Sequence, residues 1–106
     1  MEWLYPWFAV NALEPKYATL FEEELKREVA PGHPLYGIPV QAIAKSESND
    51  DMLYRLLDGT GRVAEVHLTW ISSPPDRPPW PLTATFSSLE EWAEESMRRE
   101  HDEFRE

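Results

Sequence analysis

The strongest constraint on the fold is a pair of alternating segments that surround a short loop with two glycines. MLYRLLD (52–58) and RVAEVHLTWI (62–71) are typical of consecutive strands, and GTG (59–61) lies between them. A three-residue loop sets Arg55 opposite Glu65 and gathers the apolar side chains on one face, whereas a four-residue loop mixes the two faces. That apolar face consists of Met52, Tyr54, Leu56, Ala64, Val66, Leu68 and Trp70. The pattern therefore predicts an antiparallel hairpin with one buried face.

The other face of this hairpin has mixed chemistry. Its members are Leu53, Arg55, Leu57, Val63, Glu65, His67 and Thr69. In the three-residue register, His67 lies opposite Leu53. We expect this face to be partly covered by the aromatic N-terminal arm, by the proline-rich segment or by a partner.

Two segments have the periodicity of amphipathic helices. In the first, predicted over 12–29, the apolar residues at helical spacing are Tyr17, Leu20, Phe21, Leu25 and Val29. Its charged residues, including Glu24 and Glu28, are expected on the opposite side, and Asn11 with Glu14 has capping-box spacing. The second helix, predicted over 88–103, follows Ser87 or Ser88, each with a glutamate three residues later.

The order of the elements predicts an α+β fold, an antiparallel β-meander of three to four strands with the N-terminal and C-terminal helices packed on its apolar face. IPVQAIAKS (38–46) is the first central strand, with Ile38, Val40, Ala42 and Ala44 on one face, and LTATF could add a fourth strand. The predicted single domain comprises an aromatic arm or edge strand (1–10), a helix (12–29), a three-stranded meander (38–71), a proline-rich crossover (72–81) and a helix (88–103).

The charge balance restricts the partners that such a domain can bind. Twenty acidic and ten basic residues give a net charge of −10, which disfavours contact with nucleic-acid phosphates or anionic membranes and favours a protein with a basic surface. The chain has no cysteine, which excludes disulfides and thiol nucleophiles. MEWLYPWFAV lacks the basic region of a signal peptide, so a cytoplasmic location is expected.

No established catalytic motif is present, and no cofactor is expected. The best polar constellation is His67 with Glu65 or Asp51, which could orient a general base or contribute to a metal site. The alternative is that Glu65 pairs with Arg55 across the strands and that Asp50 and Asp51 serve a turn.

Candidate partner contacts come mainly from the aromatic and proline-rich segments. Trp70 and Trp92 are predicted to be core residues, whereas Trp3, Trp7 and Trp80 would be contact residues if exposed. Arg77 and Trp80 lie in SSPPDRPPWP, a stiff connector that also contains P-x-x-P spacings. The remaining candidates are Asp50, Asp51 and His67.

Several short motifs suggest a relationship to known sequences. GHPLYG (32–37), NDDMLYRL (49–56) and VAEVHLTW (63–70) are followed by PPWP and an F-x-S-x-x-E-W segment (86–92). The chain resembles small bacterial proteins of uncharacterised activity that share G-H-P-L-x-G, D-D-x-L and V-H-L-T-W patterns. The resemblance extends from Glu22 to Trp92, and it implies a single cytoplasmic domain without assigned catalytic residues.

Three functions are compatible with these features. The favoured one is a non-catalytic protein-binding module, of immunity or inhibitor type, that covers a basic partner surface as a monomer or weak homodimer. The alternatives are a dimerising module that uses the mixed sheet face around Leu53, Leu57 and Val63, and a small enzyme or metal-binding protein that uses His67.

Overall fold

The fold is α+β, as predicted, in a computed structural model that describes residues 1–70 and 77–104. Five antiparallel strands form one sheet in the order β1-β2-β3-β4-β5. The strands are β1 (Trp7–Ala9), β2 (Val40–Ser46), β3 (Asp51–Leu56), β4 (Val63–His67) and β5 (Thr83–Phe86). The three central strands are the expected meander; the arm and LTATF each add an edge strand, so the sheet exceeds the predicted three to four strands.

The helical segments lie at the two predicted places. Helix α1 is Pro15–Glu28, and the C-terminal helical run comprises α2 (Leu89–Trp92), a π-helical turn (Ala93–Met97) and α3 (Arg98–Glu103). The capping box predicted at Asn11 does not form, because residues 10–12 make a separate 3-10 turn and Glu14 precedes the helix without a side-chain cap. The cap at Ser88 is confirmed, since its hydroxyl accepts from the Glu91 amide at 3.0 Å.

The hairpin register differs from the prediction by two residues. Arg55 lies opposite Val63 rather than Glu65, and His67 lies opposite Asp51 rather than Leu53. The loop is therefore longer, residues 57–61, and the Leu56 amide closes it by donating to the Arg62 carbonyl at 3.1 Å. Side-chain contacts within the loop explain the longer loop: Asp58 accepts hydrogen bonds from Thr60 and forms a salt bridge with Arg62. A shift of two residues preserves the alternation, so the two faces remain as predicted.

A β-bulge changes the face that β2 presents along its length. The pairing with β3 shifts between Ala42, which lies opposite Tyr54, and Ala44, which lies opposite Leu53. Ala42 consequently packs with Met52 and Tyr54 on one face of the sheet, which we call the first face. Ala44 packs with Leu53 and Val63 on the opposite face, which we call the second face. The prediction that both alanines share a face is wrong, because the residue inserted at the bulge reverses the alternation.

Helix α1 covers the first face of the sheet. Phe21, Leu25 and Val29 pack against buried residues of all three central strands. Those strand residues are Ala42, Met52, Tyr54, Leu56, Ala64, Val66 and Leu68. The predicted apolar face is therefore confirmed from Met52 to Leu68, but not at Trp70, which is exposed.

The C-terminal helical run covers the second face, not the first. Trp92 and Met97 pack with Trp7, Leu53 and Val63 in a separate cluster. The prediction that both helices share one face is wrong, because the mixed face has apolar side chains of its own to bury. The arm and this helix cover Leu53 and Val63 completely, so neither side chain remains accessible to a second copy of the chain.

The end of β4 also departs from the prediction. The strand stops at His67, and the amides of His67 and Leu68 bond to the carbonyls of Leu82 and Asp50. The first part of the predicted crossover (72–76), with Ile71, lies outside the described residues. Within the described residues, no helix is long and apolar enough to cross a membrane.

Candidate recognition site

Trp70 has the most unusual backbone conformation among the described residues that are not glycine. Its φ is 53°, and no other non-glycine residue in the described part of the chain has a positive φ. A bulky side chain in this region is uncommon and costs about 1–3 kcal/mol of local strain. The same residue is 41% exposed. The chain therefore spends free energy to hold a large aromatic side chain partly in solvent, where the sequence pattern predicted a core position.

A buried carboxylate holds the backbone of this segment. Glu28, which is 0% exposed, accepts hydrogen bonds from the amides of Thr69 and Trp70, each at 2.9 Å. The Thr69 hydroxyl donates to the same carboxylate at 3.0 Å. Charge-assisted bonds of this kind are about twice as strong as neutral ones. Three donors from two adjacent residues thus connect the last turn of α1 to the chain just beyond β4.

Glu28 shares its site with a second carboxylate one helical turn earlier. Burial, reinforced by a hydrogen bond with Glu24, raises the pKa of Glu28 despite the opposing effect of its Thr69 and Trp70 donors. Burial would also raise the pKa of Glu24, but hydrogen bonds with Arg27 and Glu28 outweigh it and lower that pKa. Arg27 binds both oxygens of Glu24, at 3.0 and 2.5 Å. These opposite directions mean that Glu28 takes up a proton at a higher pH than Glu24 does.

Exposed apolar residues lie on the same side of the helix. Tyr17 and Leu20 precede Glu24 and Glu28 at helical spacing, and both are exposed. The ring of Phe21, one residue after Leu20, meets the ring of Trp70 at 6.2 Å in an edge-on arrangement. We call Tyr17, Leu20, Glu24, Glu28 and Trp70 the Trp70 flank. The predicted roles are reversed here: two residues assigned to the core face solvent, and two glutamates assigned to the polar side are buried.

One signal in the sequence does point to Glu28. It lies seven residues after Phe21 and three after Leu25, within the stripe of residues that faces the sheet. A glutamate in such a stripe needs hydrogen-bond donors when it is buried. The pattern does not identify those donors, because Thr69 and Trp70 are more than forty positions away.

The described part of the proline-rich segment is attached by a buried histidine. The Nδ1 atom of His33 accepts from the Leu35 amide at 3.0 Å, so its Nε2 carries the hydrogen and donates to the Pro81 carbonyl at 2.9 Å. His33 therefore joins the GHPLYG turn to PPWP. The adjacent Trp80 is 44% exposed and so meets the condition placed on it as a contact residue, and Arg77 is also exposed.

The aromatic arm does not meet that condition. Trp7 is buried, stacks edge-on against Trp92 at 5.0 Å, and donates its indole hydrogen to Glu100 at 2.9 Å. Trp3 is half-buried, with its ring 6.0 Å from that of Trp92. Trp7 therefore stabilises the apolar cluster under the C-terminal helical run, and its side chain is too buried to contact a partner.

The polar constellation on the mixed face is only partly assembled. Asp51 and His67 meet at 2.7 Å between Oδ1 and Nδ1, an arrangement that can orient an imidazole as a base. Glu65 instead accepts from the Trp92 indole at 2.7 Å and the Ser96 hydroxyl at 2.6 Å. Asp50 is exposed in the turn. The described residues contain no group of three or more histidine or carboxylate side chains arranged to hold a metal ion.

In comparisons with known proteins, no family model matches the chain, and no curated protein or solved structure matches it significantly. The resemblance based on short motifs therefore remains an expectation.

Proposed function

We propose that the protein is a non-catalytic binding module, of immunity or inhibitor type, that recognises a basic surface of another protein through the Trp70 flank. The observation that carries this proposal is the placement of Trp70: a buried carboxylate holds a strained, exposed tryptophan in one position. Tryptophan is among the residues that contribute most to binding free energy at protein interfaces.

Preorganisation is the physical advantage of this arrangement. A side chain that is already ordered loses less conformational entropy on binding, and each mobile side chain would otherwise cost about 0.5–1.5 kcal/mol. Glu28 fixes the backbone on both sides of the Thr69–Trp70 peptide bond, and Phe21 supports the indole ring. Trp80, held next to the anchored Pro81, provides a second exposed aromatic side chain.

The charge of the chain supports a basic partner. The net charge of −10 attracts a positive surface and accelerates encounter at low ionic strength. Such an interaction weakens as salt rises, because exposed charges are screened over about 8–10 Å near physiological ionic strength. A cytoplasmic module of this type would act by covering the functional surface of its partner.

A photo-crosslinking side chain at position 20 tests this proposal, with the same group at position 57 as the matched control. Leu20 and Leu57 are about equally exposed, at 49% and 51%, but Leu57 lies in the β3–β4 loop. In a lysate of the source cells we expect position 20 to capture a basic polypeptide. Capture should be absent with Trp70→Ser and should decrease between about 0.05 M and about 0.5 M salt.

Equal capture from positions 20 and 57 would contradict the proposal. So would capture from position 20 that Trp70→Ser leaves unchanged, since the tryptophan would then have no part in recognition. Far-UV circular dichroism of each variant verifies that the fold is retained.

A further inference from the structure

The other side of α1 borders an apolar groove of about 620 Å³. The groove runs between the helix and the segment 35–40, which leads into β2. Aliphatic side chains form its walls: Leu25, Val29, Leu35, Ile38 and Val40. Leu25 and Leu35 are buried and Tyr36 is exposed at the rim. The volume falls within the range of about 300–1,000 Å³ that is typical of ligand sites.

Local backbone geometry keeps this groove open. The Tyr36 amide donates to the His33 carbonyl and the Ile38 amide to the Leu35 carbonyl, which makes two tight turns in succession. Gly37 has a φ of 78°, a conformation that lets the chain turn away from the helix. The Leu57 amide then donates to the Pro39 carbonyl at 2.8 Å and attaches the outer wall to the sheet. Both walls are therefore held before any ligand arrives.

The helical rim of the groove has an excess of carboxylates. Glu22, Glu23 and Lys26 line it, so two negative charges face one positive charge. One oxygen of Glu22 accepts from the Ala42 amide at 2.9 Å, which holds this carboxylate beside the apolar walls. Neither Glu22 nor Glu23 takes part in a salt bridge among the described residues. An occupant that complements this site combines an aliphatic body with an adjacent positive charge.

We propose that the groove seats an aliphatic side chain from a basic segment of the partner protein, with a neighbouring lysine or arginine bound by Glu22 and Glu23. This inference rests on the proposed function, and it adds a second contact on the opposite side of the helix that carries the Trp70 flank. The aliphatic walls favour leucine or isoleucine, and the charge of the rim favours basic over acidic neighbours.

A short peptide tests the groove independently of the Trp70 flank. The probe is a blocked Arg-Leu-Leu-Arg peptide, with Asp-Leu-Leu-Asp and Arg-Ser-Ser-Arg as matched controls. In methyl NMR spectra, the arginine–leucine peptide should shift the methyl signals of Leu25, Val29 and Leu35. The two controls should bind at least about tenfold more weakly, because each lacks one half of the required chemistry.

Two variants locate the binding. Ile38→Trp fills the groove and should weaken binding of the arginine–leucine peptide about tenfold, whereas Leu57→Ser should not change it. Glu22→Gln combined with Glu23→Gln should reduce the preference for arginine over aspartate. Absent methyl shifts, or equal binding by Ile38→Trp, would overturn the inference. Equal binding of the acidic and basic peptides would also overturn it.

The outcome can be separated from that of the proposed function. Trp70→Ser should leave the peptide shifts intact, because the groove does not include Trp70. If octylammonium gives the same shifts but the arginine–leucine peptide gives none, the groove binds small amphiphiles and the inference fails. If the peptide binds but position 20 captures no partner, the Trp70 flank fails while the groove remains.

Discussion

Helix α1 presents different chemistry on its two flanks. On the Trp70 flank, Glu24 and Glu28 are both buried, and Glu28 binds the chain beyond β4, where the Trp70 side chain is partly exposed. On the opposite flank, Glu22 stays near the surface and binds a strand amide beside the apolar walls of the groove. In both places a glutamate satisfies backbone donors, but Glu28 is buried below an exposed tryptophan, whereas Glu22 lies at the edge of a groove.

The largest expected effect comes from removing the buried carboxylate. Glu28→Ala leaves the amides of Thr69 and Trp70 without an acceptor and opens a cavity beneath them, so we expect a loss of about 3 kcal/mol in the free energy of unfolding. Urea denaturation measures this change. Glu23→Ala, at an exposed position of the same helix, should stay within about 0.5 kcal/mol. Equal effects of the two substitutions would show that the depth of the glutamate is unimportant.

The next effect is a dependence on pH. The raised pKa of Glu28 means that the folded state holds this proton more tightly than the unfolded state does, so this contribution to stability is present below the ordinary value of 4.5 and is lost as pH rises toward the folded pKa. Glu28→Gln keeps an acceptor oxygen but cannot ionise. We expect the stability of Glu28→Gln relative to the wild type to increase between about pH 4.5 and about pH 7.5.

Urea denaturation at several pH values measures that difference. Glu24 has the opposite sign: its lowered pKa contributes stability that is present above 4.5 and lost as pH falls. Glu24→Gln should therefore lose stability relative to the wild type as pH rises. If both variants changed in the same direction, the opposite pKa shifts of Glu24 and Glu28 would be wrong.

The smallest expected effect on stability is at the exposed tryptophan itself. Trp70→Asn places a residue that tolerates the left-handed region at this position, which offsets the loss of contact with Phe21. We expect the free energy of unfolding to change by less than about 1 kcal/mol, whereas partner capture from position 20 should be lost. A loss of stability comparable to that of Glu28→Ala would assign Trp70 to the core and not to recognition.

Much of the sheet was predictable because alternation is a local property. The pattern from Met52 to Leu68 separates two faces, and a register error of two residues does not disturb that separation. The register itself was not predictable from the glycines, because Asp58 and Arg62 close a longer loop through side-chain contacts. The bulge between Ala42 and Ala44 was also not predictable, because the alternating pattern does not show where a residue is inserted.

The candidate site was predictable only in part. Trp80 is exposed, as its place in a proline-rich segment suggests. Asp51 and His67 are in contact, as in one version of the predicted polar constellation. Burial of Trp7 and exposure of Trp70 reverse the simplest expectations for those residues. Both outcomes depend on contacts with distant residues: Trp92 and Glu100 for Trp7, and Glu28 for Trp70.

The sequence by itself determined the fold class, the two faces of the central hairpin, the serine cap at the start of the C-terminal helical run and the acidic charge, because each depends on residue type and on spacing over a few positions. The tertiary structure alone decided the strand register, the placement of the two helices on opposite faces and the exposure of Trp70. The register depends on side-chain contacts within the loop, and the helix placement depends on the apolar side chains that each face of the sheet buries. The exposure of Trp70 depends on distant donors that reach a buried acceptor. The Glu28 carboxylate and the amides of Thr69 and Trp70 meet only when the chain is folded.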